Sequence, residues 1–306
     1  MKTLLITISL FIAISSCAKK KEEKDSTDTT SNSFFVAVGY KGNILTSNDG
    51  TTWISRDSGT TEDMGDIIYA NNTYVAIANN GTILTSLDAK TWTSRTSGTN
   101  ENLYGITYGQ NKFVVVGDNS SGVGTILTST DGINWTSRTS ATSNSLWGIT
   151  YGNDTFILSE SSGGIQSSSD GINWTSRTSG VTNAIWGGSY GKNTFVLVSR
   201  GGEVITSTDG VTWTKRTSGT TVRLHDVSYG DDKFTAVGDN GTLISSNDAI
   251  TWTLKSTGNS SNIFGLTYGK GIWILVGKSG YIASIYGDTI TIKDSGITEH
   301  FMRVYY

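Results

Sequence analysis

The chain has 306 residues, a formal net charge of −3, no proline and one cysteine. A nearly neutral chain of this length has no broad electrostatic field, which argues against nucleic acid as a partner. Abundant Gly, Ser, Thr, Asn and aromatic residues, without long runs of strong helix formers, favour short strands joined by tight turns over helices.

The first predicted element is a signal peptide over residues 1–16. Lys2 precedes an apolar stretch at positions 4–14, which is shorter than the roughly 20 residues that cross a bilayer as a helix. Positions 14–17, which end in Cys17, resemble the lipobox of bacterial lipoproteins. The resemblance implies that Cys17 is lipidated and anchors the protein in a bacterial cell envelope, at the outer membrane or cell surface rather than the inner membrane.

Residues 17–33 form the next predicted segment. After Cys17 they are charged and then rich in Ser, Thr and Asp, a composition typical of a flexible tether. Because Cys17 is the single cysteine of the chain, the lipid-bearing protein has no disulfide.

A repeat of roughly 40 residues organises positions 34–306, and repeats of this length are typical of propellers and solenoids. A tryptophan, or Ile290 in its place, marks each unit: Trp53, Trp92, Trp135, Trp174, Trp213, Trp252 and Ile290. A tyrosine recurs in phase with it: Tyr69, Tyr108, Tyr151, Tyr190, Tyr229, Tyr268 and Tyr306. Both series indicate seven units.

Each unit reads as four short strands separated by turn residues, for example 103–108, 113–117, 125–129 and 134–138. One such sheet cannot bury both of its faces, so neighbouring units must stack radially. The sequence therefore predicts an all-β fold, a seven-bladed β-propeller with four antiparallel strands per blade.

The two ends of the repeat region predict how the ring closes. Positions 34–39 match the second strand of the repeat, so the first unit lacks its inner strand. Positions 301–306 match an inner strand that has no unit of its own. We expect the C-terminal strand 301–306 to pair with the N-terminal strands, which would remove exposed sheet edges.

A hairpin motif, Ser-x-Asp-Gly-x-x-Trp, lies between the third and fourth strands of the units, with Ala replacing Gly in two of them. We expect its carboxylate to accept hydrogen bonds from turn amides, with Gly at positive φ and Trp packed behind the turn. The six aspartates are Asp49, Asp88, Asp131, Asp170, Asp209 and Asp248. Their even distribution favours a structural role over chemistry.

This motif resembles the Asp-box or BNR repeat of sialidases and of the seven-bladed photosystem II assembly factor propellers. It has one residue fewer between Asp and Gly than that family pattern, so its turn is shorter. Sialidases also carry a Phe-Arg-Ile-Pro motif, which a chain without proline cannot contain. The resemblance, over residues 34–306, implies the propeller fold, and a fold by itself does not assign an activity.

The face opposite these hairpins collects the residues that break the repetition. Four positions before the repeat tyrosine stand Gly65, Tyr104, Trp147, Trp186, His225, Phe264 and Met302. Three arginines outside the repeat register, Arg200, Arg223 and Arg303, map to the same face. Aromatic side chains beside polar loops suit sugar stacking or peptide anchoring, although they also fill gaps between blades. The five aromatic and His side chains and the three arginines are our candidate binding residues.

Signatures of catalysis and metal binding are missing from the sequence. The carboxylates lie in the hairpins or are scattered over turns, and the two histidines have no cysteines to join them in a zinc site. The Ser-rich tracts contain no Gly-x-Ser-x-Gly elbow, and no glycine-rich loop leads into a helix that could bind phosphate. We therefore predict no catalytic residue, no metal and no cofactor.

Three functions are compatible with these observations. The leading hypothesis is a non-catalytic, monomeric binding or assembly module that recognises a protein or glycan of the cell envelope or of a host surface. The second is a lectin-like glycan binder that uses the same face. The third is a diverged sialidase-like glycoside hydrolase, in which Arg200, Arg223 and Arg303 clamp an anionic sugar.

Overall fold

The computed structural model describes residues 34–306 except 119, 121 and 122. The described residues form 28 β-strands and three short 3₁₀ helices, Tyr40–Gly42, Asp239–Gly241 and Lys278–Gly280. The strands group into seven antiparallel sheets of four, which confirms the predicted seven-bladed β-propeller. The predicted signal peptide, Cys17 and the tether lie outside the described residues.

The blades are numbered 1–7 in chain order. Blade 1 contains β1 (Phe35–Gly39), β2 (Ile44–Ser47) and β3 (Ile54–Arg56). Blade 2 contains β4 (Met64–Ala70), β5 (Thr73–Ala78), β6 (Ile83–Ser86) and β7 (Thr93–Arg95). Blade 3 contains β8 (Leu103–Gly109), β9 (Lys112–Gly117), β10 (Thr125–Ser129) and β11 (Thr136–Arg138). Blade 4 contains β12 (Leu146–Gly152), β13 (Thr155–Glu160), β14 (Ile165–Ser168) and β15 (Thr175–Arg177).

Blades 5 to 7 repeat this order of strands. Blade 5 contains β16 (Ile185–Gly191), β17 (Thr194–Ser199), β18 (Val204–Ser207) and β19 (Thr214–Arg216). Blade 6 contains β20 (Leu224–Gly230), β21 (Lys233–Gly238), β22 (Thr242–Ser246) and β23 (Thr253–Ser256). Blade 7 contains β24 (Ile263–Gly269), β25 (Ile272–Gly277), β26 (Ile282–Tyr286) and β27 (Thr289–Lys293), and β28 (Phe301–Tyr305) completes blade 1.

The C-terminal strand closes the ring, as predicted. β28 pairs antiparallel with β1, with Val36 opposite Tyr305 and Ala37 opposite Val304. Phe301 is fully buried, and the Tyr305 hydroxyl donates a hydrogen bond to the Tyr69 carbonyl of blade 2 at 3.0 Å. The last strand of the chain therefore binds both its own blade and the next one.

The apolar core lies between the blades. Each of seven clusters of buried side chains joins two neighbouring blades, as where Val114 and Val116 of blade 3 pack against Leu146 and Phe156 of blade 4. No described blade buries its faces without its neighbours, which is the physical reason for the closed ring.

The hairpins between the third and fourth strands are held by their own side chains. In blade 3, Asp131 accepts hydrogen bonds from the N–H groups of Ile133 and Asn134, at 2.8 Å each. The Ser129 hydroxyl donates to the same carboxylate at 2.9 Å, and Gly132 adopts φ +73°. The same pair of amide bonds is accepted by Asp49, Asp88, Asp170, Asp209 and Asp248.

These bonds also shorten the outer strand. The sequence predicts a strand over 134–138, whereas β11 begins at Thr136. Asn134 is kept in the turn because its backbone N–H is bonded to Asp131 and not to the neighbouring strand.

Candidate binding site at the mouth of the central channel

A β-bulge near the start of each inner strand sets the positions of the site residues. Pairing with the second strand jumps over one residue in six blades, for example from Leu146 directly to Gly148. In blade 1 the same jump occurs between Phe301 and Arg303. The residues skipped in blades 1–7 are Met302, Gly65, Tyr104, Trp147, Trp186, His225 and Phe264. Since a bulge frees a residue from the ladder and re-aims its side chain, one residue per blade is available for another purpose.

All seven of these bulge residues line one cavity. Together with Arg303 they enclose about 250 Å³ at the end of the central channel, and we call this space the mouth cavity. Strand direction alternates within each antiparallel blade, so the aspartate hairpins between the third and fourth strands lie at the opposite end of the channel. We call this the hairpin end. Six of the eight predicted binding residues, the five aromatic and His side chains and Arg303, thus meet in one place.

The rings around the mouth cavity pack edge against face. Trp147 and Trp186 have ring centroids 4.6 Å apart with planes at 81°, and Trp186 and His225 lie 5.1 Å apart at 79°. His225 and Phe264 continue the series at 4.9 Å and 85°. Such pairs are a preferred aromatic geometry. The rings therefore form a rigid wall over blades 4 to 7.

Two polar members of this wall are held by carboxylates of the loop that follows the second strand. The Tyr104 hydroxyl donates to Asp118 at 3.1 Å, and the His225 Nε2 lies 2.7 Å from Asp239 Oδ1. His225 is 3% exposed, and burial lowers the pKa of its imidazole while Asp239 opposes that change. The carboxylates thus orient side chains at the cavity.

The three predicted arginines occupy different layers and do not converge. Arg303 lines the mouth cavity, whereas the Arg223 guanidinium lies outside it, 5.7 Å from the Trp186 ring centroid and 3.8 Å from Asp239. Arg200 is exposed on the loop after β17 and does not line the mouth cavity. The arrangement therefore offers no three-arginine clamp for an anionic sugar.

Directly beneath the bulge residues lies a charged layer that the sequence reasoning missed. The next position along each inner strand is glycine in four blades and is Asp66, Asp226 or Arg303 in the others. Arg303 Nε lies 3.9 Å from Asp66, and its Nη1 lies 3.8 Å from Asp226 and donates to the Phe264 carbonyl at 2.7 Å. Arg303 thus links the closing strand to both carboxylates and to blade 7.

Burial dominates the ionisation of these two carboxylates. Desolvation raises the pKa of Asp66 to about 6, although Arg303 and the N–H groups of Ile106 and Ile67 act in the opposite direction. Burial also raises the pKa of Asp226. The signal in the sequence was an acidic residue where other units have glycine, but the partners come from distant units.

Within the described part of the chain, no group of three or more His, Cys, Asp and Glu side chains is placed to hold a metal ion. The same residues include no helix that is long and apolar enough to cross a membrane.

Comparison with known proteins identifies the fold. No protein-family model matches the sequence, and no curated protein matches it. The solved structure of YCF48 bound to D1 peptide matches with a TM-score of 0.68 and 19% identity, over 88% of this chain and 91% of that chain. YCF48 from Cyanidioschyzon merolae matches with a TM-score of 0.56 and 17% identity, over 78% and 84%.

A computationally designed protein, Ika8, is a further structural match. Its TM-score is 0.64 at 12% identity, over 89% of this chain and 87% of that chain. At such low identities the similarity establishes architecture and nothing finer. By its fold, this chain is a seven-bladed β-propeller.

Proposed function

We propose that this protein is a non-catalytic binding or assembly module that holds a partner protein by a side chain inserted into the mouth cavity. The observation that carries the proposal is the convergence of one bulge residue from every blade on a single cavity. A volume of about 250 Å³ accommodates one large side chain of a partner. Rigid, partly buried aromatic residues are typical of the positions that dominate binding energy in protein interfaces.

The ring geometry favours a peptide over a glycan. Sugar stacking needs an open ring face, whereas Trp147, Trp186 and His225 pack edge to face and cover part of one another. Arg223 covers a further part of Trp186. An inserted apolar side chain needs only a cavity of suitable shape. The YCF48 structure with a bound D1 peptide has the same architecture, which supports a protein partner for this chain.

The absence of a converging set of polar groups supports a binding role. Arg303 is held by Asp66, Asp226 and the Phe264 carbonyl, and His225 is held by Asp239. These contacts orient side chains, and the residues that line the cavity include no carboxylate. The site is therefore suited to holding a ligand and not to transforming it.

We further propose that Cys17 carries lipid and displays the propeller on a bacterial cell envelope. β1 runs from the hairpin end to the mouth, so Phe34 lies at the hairpin end. The described chain therefore begins at the end of the propeller opposite the mouth cavity. Fatty-acid labelling of the wild-type protein that disappears in Cys17→Ala would support the anchor, and equal labelling of both would refute it.

The binding proposal is tested with short random peptides displayed on phage and selected on the purified protein. Peptides that bind the wild type are measured against a Trp147→Ala, Trp186→Ala double variant. Loss of two central aromatic anchors is expected to weaken binding by at least about 30-fold, which is the effect of about 2 kcal/mol from a single hot-spot residue. The matched control is Tyr286→Ala, which removes an aromatic residue that is 73% exposed at the hairpin end and is expected to leave affinity unchanged.

Thermal unfolding of each variant separates loss of the site from loss of the fold. Peptides that bind wild type and double variant equally would place the site elsewhere. A panel of glycans is measured in parallel. Saturable glycan binding that depends on Trp147 and Trp186, together with an absence of peptide binding, would indicate a carbohydrate partner in place of a protein.

A further inference from the structure

A second layer of side chains surrounds the mouth cavity, and backbone hydrogen bonds define it. In every blade the residue after the second strand donates its N–H to the carbonyl of the residue before the inner strand, at 2.8 to 3.0 Å. We call these residues the rim pairs. In blades 1–7 they are Tyr40 with His300, Asn79 with Asp63, Asp118 with Asn102, Ser161 with Ser145, Arg200 with Ala184, Asp239 with Arg223, and Lys278 with Asn262. Equivalent bonds place all seven pairs at equivalent positions around the ring.

Charge is unevenly distributed among the rim pairs. Blades 2 and 3 carry the carboxylates Asp63 and Asp118 and no basic side chain, and we call them the acidic arc. Blades 5 to 7 carry Arg200, Arg223 and Lys278 against one carboxylate, Asp239, and form the cationic arc. Blades 1 and 4, which separate the arcs, carry an aromatic pair and two serines.

The two arcs face each other across the mouth cavity. In a ring of seven blades, the boundary between blades 2 and 3 lies diametrically opposite blade 6, which is the centre of the cationic arc. The mouth therefore has a dipole that points across the cavity. The positive side of this dipole is the cationic arc, where the side chains of Arg200 and Lys278 are exposed.

Neighbouring charges do not cancel this dipole. Next to the acidic arc, Glu62 bonds the Asn80 amide and Glu101 bonds Ser120, so both add negative charge there. Lys41 of blade 1 is paired with Glu299 at 2.8 Å, and Glu203 of blade 5 is paired with Lys215 at 3.4 Å.

Charges in the layer below are also balanced across the channel. Asp66 lies under the acidic arc and Asp226 under the cationic arc, and Arg303 contacts both. This layer therefore adds little to the difference between the two arcs.

We propose that the partner segment is itself polarised: a basic residue on one side of the inserted side chain lies over the acidic arc, and an acidic residue on the other side lies over the cationic arc. This inference rests on the proposed binding function and deepens it by naming the partner's chemistry. Complementary charge at an interface rim sets orientation and association rate more than affinity. The segment is then held in one direction across the mouth.

The test uses peptides from the random display library that bind the purified protein and lose affinity in the Trp147→Ala, Trp186→Ala variant. We expect them to carry basic residues on one side of the apolar anchor and acidic residues on the other. A photo-crosslinker at the basic end is expected to label blades 2 and 3, and one at the acidic end to label blades 5 to 7. Exchange of the charges at the two ends is expected to reverse the labelling.

Neutral variants of each arc give an independent measurement. Glu62→Gln with Asp63→Asn, and Arg200→Gln with Lys278→Gln, are each expected to weaken binding about 3- to 10-fold at low salt, with a smaller loss at high salt. Asp288→Asn is the matched control, because its carboxylate is 94% exposed in the turn between β26 and β27, at the hairpin end, and no change is expected.

The possible outcomes separate this inference from the binding function. Peptides that need the mouth cavity but carry no consistent order of charges would contradict the proposed polarity. Crosslinks that stay the same when the charges are exchanged would do so too. Either result would leave the binding site itself in place. Failure to obtain any pocket-dependent peptide would overturn both.

Discussion

The hairpin end and the mouth end of the propeller are built from the same strands but use side chains in opposite ways. At the hairpin end, each aspartate binds amides of its own turn, as Asp131 does with Ile133 and Asn134. At the mouth, the bulge residues of blades 4 to 7 contact one another across blades, as Trp147 does with Trp186. Local bonds can be repeated without change, whereas contacts between blades differ wherever one residue differs.

The bulge explains why the mouth tolerates this variety. The bulge residue is not part of the strand ladder, so its side chain changes without disturbing the pairing on either side. The turn aspartates have no such freedom, because their carboxylates replace backbone partners that the hairpin lacks. Side chains therefore differ from blade to blade at the mouth and repeat at the hairpins, as the proposed binding face on a structural scaffold requires.

Carboxylates of the two regions also titrate in opposite directions. Amide bonds from Thr212 and Val211 lower the pKa of Asp209 to about 2. Burial in the channel raises the pKa of Asp66 to about 6. An ionised aspartate therefore stabilises the fold at the hairpin end, whereas an ionised aspartate beneath the mouth destabilises it.

The largest expected effect comes from the strand on which both regions depend. Deletion of residues 301–306 removes the inner strand of blade 1, the buried Phe301 and the Arg303 contacts. We expect loss of cooperative thermal unfolding, or oligomers in size-exclusion chromatography, because the deletion exposes β1 as an open edge. A monomeric deletion variant with the wild-type melting temperature would contradict this expectation.

Alanine substitutions at two equivalent glycines test whether the hairpins of different blades have equivalent surroundings. Gly50 and Gly132 occupy the same turn position at φ +69° and +73°. A Cβ at Gly50 would lie 2.6 Å from the δ-methyl groups of Ile272 and Ile274, whereas at Gly132 the nearest atom is Val75 Cγ2 at 3.2 Å.

Urea unfolding is expected to show a loss of about 1 kcal/mol for Gly132→Ala, from the left-handed backbone alone. Gly50→Ala is expected to lose somewhat more, about 1.5 to 2 kcal/mol, because the terminal methyl groups of Ile272 and Ile274 must also shift. The chain itself places alanine at this position in two blades, Ala89 at φ +56° and Ala249 at φ +60°. Equal losses in the two variants would show that contacts with the neighbouring blade do not matter there.

Titration beneath the mouth is expected to have the next largest effect. Because the pKa of Asp66 is raised from 3.8 to about 6, the folded state binds more protons than the unfolded state between these values. The free energy of unfolding therefore falls as pH rises from about 4 to about 6, by about 1 to 2 kcal/mol. Asp66→Asn should flatten this region of the pH profile, and an unchanged slope would assign the effect to another group.

The smallest effect is expected at a hairpin aspartate. Asp209 has a pKa lowered from 3.8 to about 2, so its contribution is present above pH 4 and is lost as pH falls towards 2. Its exposure reduces that contribution to less than about 1 kcal/mol. Asp209→Asn is expected to lose this amount at neutral pH and to approach the wild type near pH 2, as measured by urea unfolding. A constant difference over the whole range would show that the charge is not the cause.

Much of the candidate site could be predicted because it follows from the repeat. Trp147, Trp186 and Phe264 stand at one position of the unit, so the blade architecture alone brings them to one end of the channel. The same logic placed Arg200, Arg223 and Arg303 at that end, and of these three Arg303 lines the cavity whereas Arg200 and Arg223 lie at its rim. Position in the unit predicts the end of the propeller, whereas side-chain length and local partners decide which residues line a cavity.

The sequence by itself determined the number of blades, the four strands in each and the closure by residues 301–306, because each of these depends on periodicity along the chain. The tertiary structure alone decided that the skipped residues are bulges around one cavity, that Arg303 sits between Asp66 and Asp226, and that acidic and cationic rim pairs face each other. These contacts join residues from different blades. They exist only when the ring is closed, and no local pattern in the sequence records them.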